Sequence, residues 1–373
     1  MTLRAPEFAY VTGGSSSVVH RQAIARGGFG EVHEVRIQAC VPLTVALRCP
    51  HATGTRPSSP KCLLTVSKIF ARKLLDVRGL RREVIRTEEE AIKKVCGKGG
   101  HRNVITVLWL GDISGTEFYG IDMELCGLNL ELFIHRKTYP TPSESVPFYI
   151  KDGQPPLREQ QVWNVMKQLA DGVKYIHSLK VVHRDLKPAN SKFRLGLATD
   201  ETVLYSRKDS CWKLADFGFA SEGNSSTLRR SNDVRGTTGY RAPELLANGN
   251  ATFNNKADIW SLGCILFELS VGRRPFFHDY ATAAYGTAND DMIVELDDSF
   301  SCECKRTLAS TIISMLKSCP KSRPSAIQLL KDFNRYIKDT KNAQKQSPAI
   351  DNVERTGPMR LNSSLQARGT FLF

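Results

Sequence analysis

The hydrophobic pattern of this chain changes at about Leu157, and that change restricts the possible fold more than any other feature. Before this point, short runs such as Val104–Leu108 and Phe118–Met123 are rich in β-branched and aromatic residues, which predicts strands. After it, apolar residues recur at helical spacing, at Val162, Val165, Met166, Leu169, Val173 and Ile176. A strand-rich part followed by a helix-rich part predicts an α+β protein with two lobes and a cleft between them.

The strand-rich part is the first lobe, and the helix-rich part is the second. One helix is predicted inside the first lobe, where apolar and acidic residues share a helical period: Ile85, Glu88, Glu89, Ile92 and Val95. Residues 1–18 end in a Gly- and Ser-rich stretch and are predicted to be flexible. The polar residues 338–373 are predicted to be a disordered tail.

The composition is that of a globular intracellular protein. Of the 373 residues, 41% are hydrophobic and 24% are charged, which allows a sizeable core. No stretch approaches the roughly 20 apolar residues of a membrane span, and the N-terminal residues lack the apolar run of a signal peptide. We therefore expect an intracellular protein, cytoplasmic or nuclear, with its ten cysteines as thiols.

The formal net charge of +14 raises the question of a nucleic-acid partner. The basic residues are spread over 78–82, 93–98, 229–235 and the tail, without the interleaved aromatic residues of an RNA-binding surface. We expect no nucleic-acid partner.

Three short segments of the helix-rich part carry side chains suited to phosphoryl transfer. In chain order they are His183-Arg184-Asp185-Leu186-Lys187-Pro188-Ala189-Asn190, Asp216-Phe217-Gly218 and Ala242-Pro243-Glu244. Phosphoryl transfer from ATP requires an aspartate that orients the acceptor hydroxyl, and an asparagine and a second aspartate that hold Mg²⁺ on the phosphates. The order and chemistry of the three segments agree with this requirement.

Together these motifs resemble the eukaryotic protein kinase family, and the resemblance extends over roughly residues 19–337. Gly236-Thr237-Thr238-Gly239-Tyr240-Arg241 resembles the corresponding segment of the serine/threonine branch. The resemblance implies a two-lobed kinase fold, with the N-lobe over residues 19–126 and the C-lobe over 127–337. It also implies ATP and Mg²⁺ as cofactors, and a protein substrate with a serine or threonine acceptor.

The family's catalytic roles fall on four side chains of these motifs. By resemblance, Asp185 would align the attacking hydroxyl, and Asn190 and Asp216 would bind Mg²⁺. Lys187 would contact the γ-phosphate and Thr237, a pairing associated with serine/threonine specificity. Positioning and charge stabilisation, more than proton removal, supply the rate in this chemistry.

Gly27-Gly28-Phe29-Gly30-Glu31-Val32 resembles the family's phosphate-covering loop, with Ala25 in place of the first glycine. Glycines let backbone N–H groups approach phosphate oxygens, although a Gly-rich turn alone would also fit an ordinary hairpin. The resemblance places these residues at the nucleotide: Ile24, Gly27, Gly28, Phe29, Gly30, Val32 and Ala71.

Two residues are candidates for the lysine that anchors ATP. Val45-Ala46-Leu47-Arg48 and Phe70-Ala71-Arg72-Lys73 both resemble the family motif. Lys73 is preferred because it is a lysine and lies 15 residues before Glu88, whereas Arg48 lies 40 residues before it. This choice makes residues 36–64, which are rich in proline and serine, a loop insertion.

The anchoring lysine of the family pairs with a glutamate of the first-lobe helix, and three adjacent glutamates compete for that role. Glu88 is preferred because it shares a helix face with Ile85 and Ile92. Glu89 remains the alternative.

Further positions match structural features of the family. Met123-Glu124-Leu125-Cys126 resembles the hinge, whose backbone would meet the adenine edge through Glu124 and Cys126. Asp258 resembles the aspartate that braces the catalytic loop, and Glu244 with Arg323 resembles a buried ion pair.

The activation loop, 216–244, suggests regulation by charge. In the family, an arginine in the place of Arg184 pairs with a phosphate on this loop. Asp233 lies four residues before Thr237, where many relatives carry the phosphorylated residue, and we predict that Asp233 partly substitutes for that phosphate. Ser231 and neighbouring hydroxyls are candidate phosphorylation sites, because nearby arginines can pair with phosphate.

The chain departs from the family pattern after Asn190. Ser191-Lys192-Phe193-Arg194-Leu195 stands where the family has an apolar strand beneath adenine, and a buried lysine there would be costly. Either Phe193 or Leu195 takes that place, or ATP binding is weakened. An extra loop is predicted near 198–209. These departures leave open a second hypothesis, a pseudokinase that acts as a scaffold or binding module.

Overall fold

A computed structural model of the chain describes residues 9–15, 17–27, 30–42, 63–80, 82–97, 99–135, 157–188, 201–230, 236–246, 251–287 and 292–346. It has a β-rich N-terminal lobe and a helical C-terminal lobe. The predicted α+β, two-lobed architecture is confirmed.

The N-terminal lobe contains a five-stranded antiparallel sheet in the order β1-β2-β3-β5-β4. Its strands are β1 (Val18–Gly27), β2 (Gly30–Pro42), β3 (Leu63–Asp76), β4 (Val107–Asp112) and β5 (Phe118–Met123). Helix α2 (Arg82–Cys96) carries a buried face that includes Ile85, Glu88 and Ile92. Side chains alternate across β3, so Ala71 and Lys73 line the cleft while Phe70 and Leu74 pack on the outer face of the sheet.

A short helix at the N-terminus, α1 (Ala9–Thr12), covers that outer face. Val11 is fully buried against Val35, Phe70 and Leu74, and the ring of Tyr10 lies 5.3 Å from that of Phe118. The flexible lead predicted for residues 1–18 is therefore wrong for the described residues 9–15, because their apolar side chains complete a small core.

The C-terminal lobe is built from helices with short strands at the cleft. Its elements are β6 (Leu128–Asn129), α3 (Leu130–His135), α4 (Glu159–Ser178), β7 (Val181–Val182), β8 (Val203–Ser206), β9 (Cys211–Leu214), β10 (Ser221–Glu222), β11 (Arg229–Arg230), β12 (Thr252–Phe253), α5 (Lys256–Val271), α6 (Asp279–Thr287), α7 (Cys302–Met315) and α8 (Ala326–Gln346). The small sheets are β6-β8-β9, β10-β7 and β11-β12.

Helix α5 lies at the centre of this lobe. Every residue from Ala257 to Ser270 is buried, and the helix ends at Gly272, whose φ of 78° suits glycine. It packs against α4 and α7. No helix in the described part of the chain is long and apolar enough to cross a membrane.

Two predicted boundaries need correction. Strand β2 continues to Pro42 and β3 begins at Leu63, so both ends of the predicted insertion 36–64 are paired strand, and 43–62 lie outside the described residues. Helix α8 packs on α4 and continues to Gln346, so 338–346 are helical rather than disordered. Residues 347–373 of the predicted tail lie outside the described residues.

Candidate active site

Lys73 of β3 lies between two carboxylates in the cleft. Its Nζ donates to Oε1 of Glu88 at 2.7 Å and to Oδ1 of Asp216 at 2.9 Å. Glu89 instead pairs with Lys93, one turn further along the exposed side of α2. Of the two alternatives, the structure brings Glu88 to Lys73. The buried ion pairs join the N-terminal sheet, helix α2 and the segment after β9.

Burial and neighbouring charges shift the pKa values of this cluster in different directions: those of Lys73 and Glu88 are raised, and that of Asp216 is lowered. Burial alone would lower the pKa of Lys73, but the carboxylates of Asp216 and Glu88 outweigh it and raise that pKa, so the ammonium persists. Burial would raise the pKa of Asp216, yet the cations Lys73 and Lys187 hold it below its ordinary value. Asp216 thus stays ionised, as a metal ligand or a phosphate-side carboxylate must.

Asp185, Lys187 and Thr237 form a closed triangle of hydrogen bonds on the opposite side of the cleft. Lys187 Nζ donates to Asp185 Oδ2 at 2.8 Å and to Thr237 Oγ1 at 2.7 Å. The Thr237 hydroxyl donates to Asp185 Oδ1 at 2.7 Å. Burial raises the pKa of Asp185, and the contacts with Lys187 and Thr237 oppose that rise. The arrangement presents a carboxylate and an ammonium where a hydroxyl and a phosphate could meet.

Asp258 in the first turn of α5 fixes the backbone of this loop. Its Oδ2 accepts the N–H of His183 at 2.9 Å, and its Oδ1 accepts the N–H of Arg184 at 2.8 Å. His177 of α4 lies 2.8 Å from the same carboxylate. Arg184 has a φ of 71°, a conformation that a non-glycine residue holds only when its surroundings impose it. The predicted brace at Asp258 is present.

The cleft between the lobes is lined mainly by apolar side chains, as a planar aromatic base requires. The lining includes Ile24, Val32, Ala71, Ile105, Val107, Met123, Cys126, Leu128, Leu204 and Ala215. On the C-terminal side, Leu204 of β8 lines the cleft. Phe193 and Leu195, the two sequence candidates for the surface beneath adenine, lie outside the described residues. Because β8 and β9 form a hairpin over 203–214, the predicted loop at 198–209 is wrong for the part that β8 occupies. Residues 189–200 lie outside the described residues.

The hinge candidate lines the same cleft and is held from behind. Met123, Glu124 and Cys126 all contribute to its wall. The Glu124 carboxylate accepts from buried Lys213 of β9 at 2.9 Å and from the backbone N–H of Thr106 at 2.8 Å. These bonds fix Glu124 in the connection between β5 and α3, whose residues line the cleft.

The turn of the glycine loop is only partly described. Gly27 and Gly30 face each other at the end of the β1–β2 hairpin, whereas Gly28 and Phe29 lie outside the described residues. A Cβ on Gly30 would lie 2.0 Å from the carbonyl oxygen of Leu74, so only glycine fits there.

The described regulatory candidates lie around the end of the activation loop. The guanidinium of Arg184 stacks 4.0 Å above the ring of Phe253, whose strand β12 pairs with β11 of that loop. The Glu244–Arg323 ion pair is bidentate, at 2.7 Å for both contacts. Ser231 and Asp233 lie outside the described residues.

One of the two predicted metal ligands can be placed. Asp216 lines the cleft, and Asn190 lies outside the described residues. Among the residues that the structure describes, no group of three or more His, Cys, Asp or Glu side chains is arranged to hold a metal ion. The hard carboxylate oxygens of Asp216 beside Lys73 fit a Mg²⁺-phosphate group.

The sequence profile of the protein kinase domain matches residues 60–333, more than half of the chain. The chain belongs to the eukaryotic protein kinase family. The motifs, the two lobes and the paired Lys73 agree with this membership, and the predicted resemblance is confirmed.

Known kinases are similar over different parts of the chain. The serine/threonine-protein kinase chk-2 of Caenorhabditis elegans is 34% identical over 168 residues, covering 44% of this chain and 31% of the relative. Mitogen-activated protein kinase kinase kinase 15 of Mus musculus is 28% identical over 306 residues, covering 81% of this chain and 20% of the relative. Mitogen-activated protein kinase mpkA of Aspergillus fumigatus is 29% identical over 294 residues, covering 75% and 59%. The kinase chain spans less than two thirds of each relative's length.

Sequence reasoning missed Leu204 and Lys213. Val203-Leu204-Tyr205 is a β-branched and aromatic run, separated by one turn from Trp212-Lys213-Leu214. This hairpin pattern just before Asp216 was the available signal for Leu204, which lines the cleft, and for Lys213, which pairs with Glu124.

Proposed function

We propose that this chain is an active serine/threonine protein kinase, which transfers the γ-phosphoryl group of Mg·ATP to serine or threonine hydroxyls of protein substrates. The observation that carries the proposal is Lys73, held between Glu88 and Asp216 in the cleft that also contains Asp185. A scaffold with the same fold could have apolar side chains at all three positions, because it would have no phosphate or Mg²⁺ to bind there.

The described residues fit the proposed cofactors. Apolar side chains above and below the cleft, such as Val32 and Leu204, would enclose the adenine ring, and the backbone at Glu124 and Cys126 would hydrogen-bond its edge. Lys73 would contact phosphate oxygens, and Asp216 with Asn190 would hold Mg²⁺. When bound, Mg²⁺ neutralises charge that develops on the phosphate oxygens.

The protein's own groups would position the acceptor. Asp185 would exchange its bond to Thr237 for one to the substrate hydroxyl. The Asp185 carboxylate would thereby orient that hydroxyl and later take up its proton. Lys187 bridges Asp185 and Thr237 and would hold a transferring phosphate oxygen beside them. Thr237 would thereby link the acceptor site to the peptide-binding segment that follows it.

The remaining site assignments belong to the same proposal. Gly28 and Phe29 would complete the cover over the phosphates. Arg184 would pair with the activation loop, through Asp233 or a phosphate on Ser231. The alternative function, a pseudokinase with impaired ATP use, is favoured by three features of the sequence: Ala25 in place of the first loop glycine, Lys192 where the family has an apolar strand, and the insertion predicted at 36–64.

Phosphate incorporation decides between the two functions. Purified chain is incubated with labelled Mg·ATP and a generic serine/threonine protein substrate, beside the variants Asp185→Asn and Asp332→Asn. Asp332 is an exposed residue of α8 and serves as the matched control. We expect incorporation by the wild type and by the Asp332 variant, and none by the Asp185 variant. A folded wild type without incorporation would instead support the scaffold.

A further inference from the structure

The catalytic segment, residues 183–187, is held at its two ends by different side chains. At its start, the carboxylate of Asp258 accepts two backbone N–H groups. At its end, the hydroxyl of Thr202 contacts both backbone groups of Lys187: it accepts the N–H at 2.8 Å and donates to the carbonyl oxygen at 2.8 Å. Thr202 lies outside the three motifs that identify the site, 12 residues after Asn190.

A hydroxyl is suited to this double contact because it has one donor and two acceptor sites. Thr202 is fully buried and Lys187 is 2% exposed, so the two bonds are shielded from water. Without the hydroxyl, the N–H and the carbonyl oxygen of Lys187 would lose these partners inside the protein, which is costlier than the same loss at the surface. The Thr202 side chain therefore gives Lys187 the pair of bonds that a neighbouring strand gives a residue in a sheet.

The same residue is bonded to the segment that carries Asp216. The backbone carbonyl oxygen of Thr202 accepts the N–H of Ala215 at 2.9 Å. Thr202 is thus bonded through its side chain to Lys187 and through its backbone to the residue immediately before Asp216. In the proposed function both Lys187 and Asp216 act on the phosphates, so the relative position of these two side chains depends on Thr202.

We propose that Thr202 is a positioning residue for phosphoryl transfer, which fixes the backbone of Lys187 relative to Asp216. The inference rests on the proposed function, in which the Lys187 ammonium holds a transferring phosphate oxygen. Because its side chain is fully buried against the Lys187 backbone, Thr202 acts through Lys187 and not on ATP. A contact that becomes strong only in the transition state affects kcat more than KM, and it is sensitive to small displacements.

Three substitutions isolate the hydroxyl. Thr202→Val keeps the shape of the side chain but removes both bonds, and Thr202→Ser keeps the hydroxyl. Thr282→Val is the matched control, because Thr282 of α6 is also fully buried and its hydroxyl has no hydrogen-bond partner among the described residues. For Thr202→Val we expect kcat to fall at least roughly tenfold, with the KM for ATP within about twofold of the wild type. Thr202→Ser and Thr282→Val should keep the wild-type kcat.

A double-mutant cycle tests whether the effect passes through Lys187. Lys187→Met removes the ammonium, so a displaced backbone at this position no longer misplaces a charge. We expect Thr202→Val to lower kcat in the wild type and to cause no further loss of the residual kcat when it is added to Lys187→Met. Equal losses in the two backgrounds would show general damage to the fold and would overturn the positioning role.

Amide hydrogen exchange, resolved to single residues by NMR, measures the same contact without catalysis. The Lys187 amide should exchange at least roughly tenfold faster in Thr202→Val than in the wild type. The amide of Ala215, which donates to the backbone of Thr202, should keep its protection and shows that the fold is intact. If the valine variant does not fold, Thr202→Cys replaces it, because a thiol forms weaker hydrogen bonds, and it should cause smaller changes in the same direction.

The two kinds of measurement separate this inference from the proposed function. Unchanged exchange at Lys187 in Thr202→Val, or an unchanged kcat, would overturn the positioning role. So would a loss of kcat that Thr202→Ser shares. If the wild type incorporates no phosphate, the kinase function fails, and exchange at Lys187 alone decides whether Thr202 holds the catalytic segment.

Discussion

The two lobes hold their halves of the site in different ways. In the N-terminal lobe, Lys73 is fixed by ion pairs that cross from β3 to α2 and to Asp216. In the C-terminal lobe, Asp185 is fixed because the backbone before it is bonded to Asp258 of a fully buried helix. Ion pairs between separate elements depend on how those elements are docked, whereas a buried helix is part of the fold itself. Activity and folding should therefore respond differently to changes in the two lobes.

On the outer face of the N-terminal sheet, a second buried ion pair joins separate elements. Arg72, next to Lys73, forms a buried bidentate pair with Asp122, at 2.6 Å for both contacts, and donates to the carbonyl oxygen of Val11 at 2.8 Å. Asp122 immediately precedes Met123 at the hinge. The same pair thus connects the strand of the anchoring lysine, the strand that leads to the hinge and helix α1.

The largest effect is expected at the C-terminal brace. Asp258→Ala removes the acceptor of two backbone N–H groups and the partner of His177 inside the core. We expect it to lower the free energy of unfolding by about 3–5 kcal/mol, measured by urea denaturation. The matched control is Asp332→Ala on exposed α8. A variant as stable as the control would contradict the role of α5 as the anchor.

The next effect tests the ion-paired lysine of the other lobe. Lys73→Met removes the cation between Glu88 and Asp216, and we expect kcat to fall by roughly 100- to 1,000-fold. Steady-state phosphorylation of a peptide measures it, with Lys68→Met, an exposed change on the same strand, as the control. Full activity without Lys73 would show that the N-terminal half of the site is not needed.

The Arg72–Asp122 pair should behave as a buried pair that is costly to break on one side. Arg72→Met leaves Asp122 buried without its partner and should lower the free energy of unfolding by about 3 kcal/mol. Arg72→Met/Asp122→Leu removes both charges and should recover most of that loss. Urea denaturation of both variants measures the difference. If the double variant is as unstable as the single one, apolar side chains cannot replace the pair.

A pH profile sharpens the account of Asp185. Burial raises the pKa of Asp185, and the hydrogen bond from Thr237 lowers it. Thr237→Val removes that bond, so the pKa should rise further. Since only ionised Asp185 can accept the substrate hydroxyl, activity is lost as pH falls through this pKa. The acid limb of kcat/KM, which reports the free enzyme in which the Thr237 bond is present, should therefore move to higher pH. Thr238→Val, at an exposed neighbouring position, should leave the limb in place. A shift to lower pH would refute the assignment.

The smallest change is expected for Glu89→Gln, which is compared with the same substitution at the adjacent Glu88. Glu89→Gln breaks a pair with Lys93 on the exposed side of α2, and we expect a stability change below about 0.5 kcal/mol and normal activity. Glu88→Gln should reduce kcat at least roughly tenfold, because its carboxylate positions Lys73. Parallel thermal denaturation and kinetics compare the two. Equal losses of activity would mean that both substitutions act by disturbing helix α2, and that the contact between Glu88 and Lys73 has no separate role.

The sequence alone was sufficient to identify functional residues that lie close together in short motifs. Asp185, Lys187 and Asp216 lie in fixed short segments, and the choice of Lys73 over Arg48 required only a lysine at a plausible distance before Glu88. The structure brings these residues together in one cleft.

Long-range features could not be read from the sequence in the same way. Arg72 and Asp122 are 50 residues apart, and nothing near either one identifies the other as its partner. Leu204 lines the cleft but lies 14 residues after Asn190, beyond the segment in which an apolar cleft residue was expected. Val11 belongs to a short apolar run that gains stability only from the sheet it covers, so it resembled a flexible lead.

The position of β3 inside the sheet also decides where the chain can be shortened. A recombinant fragment cut at the limits of the family match, 60–333, would lose α1, β1 and β2. Strand β3, which pairs with β2 from Glu31–Leu74 to Pro42–Leu63, would become an open edge beside an uncovered apolar face. Such edges recruit strands from other molecules, so we expect this fragment to aggregate, whereas one that keeps 9–346 would retain the complete five-stranded sheet.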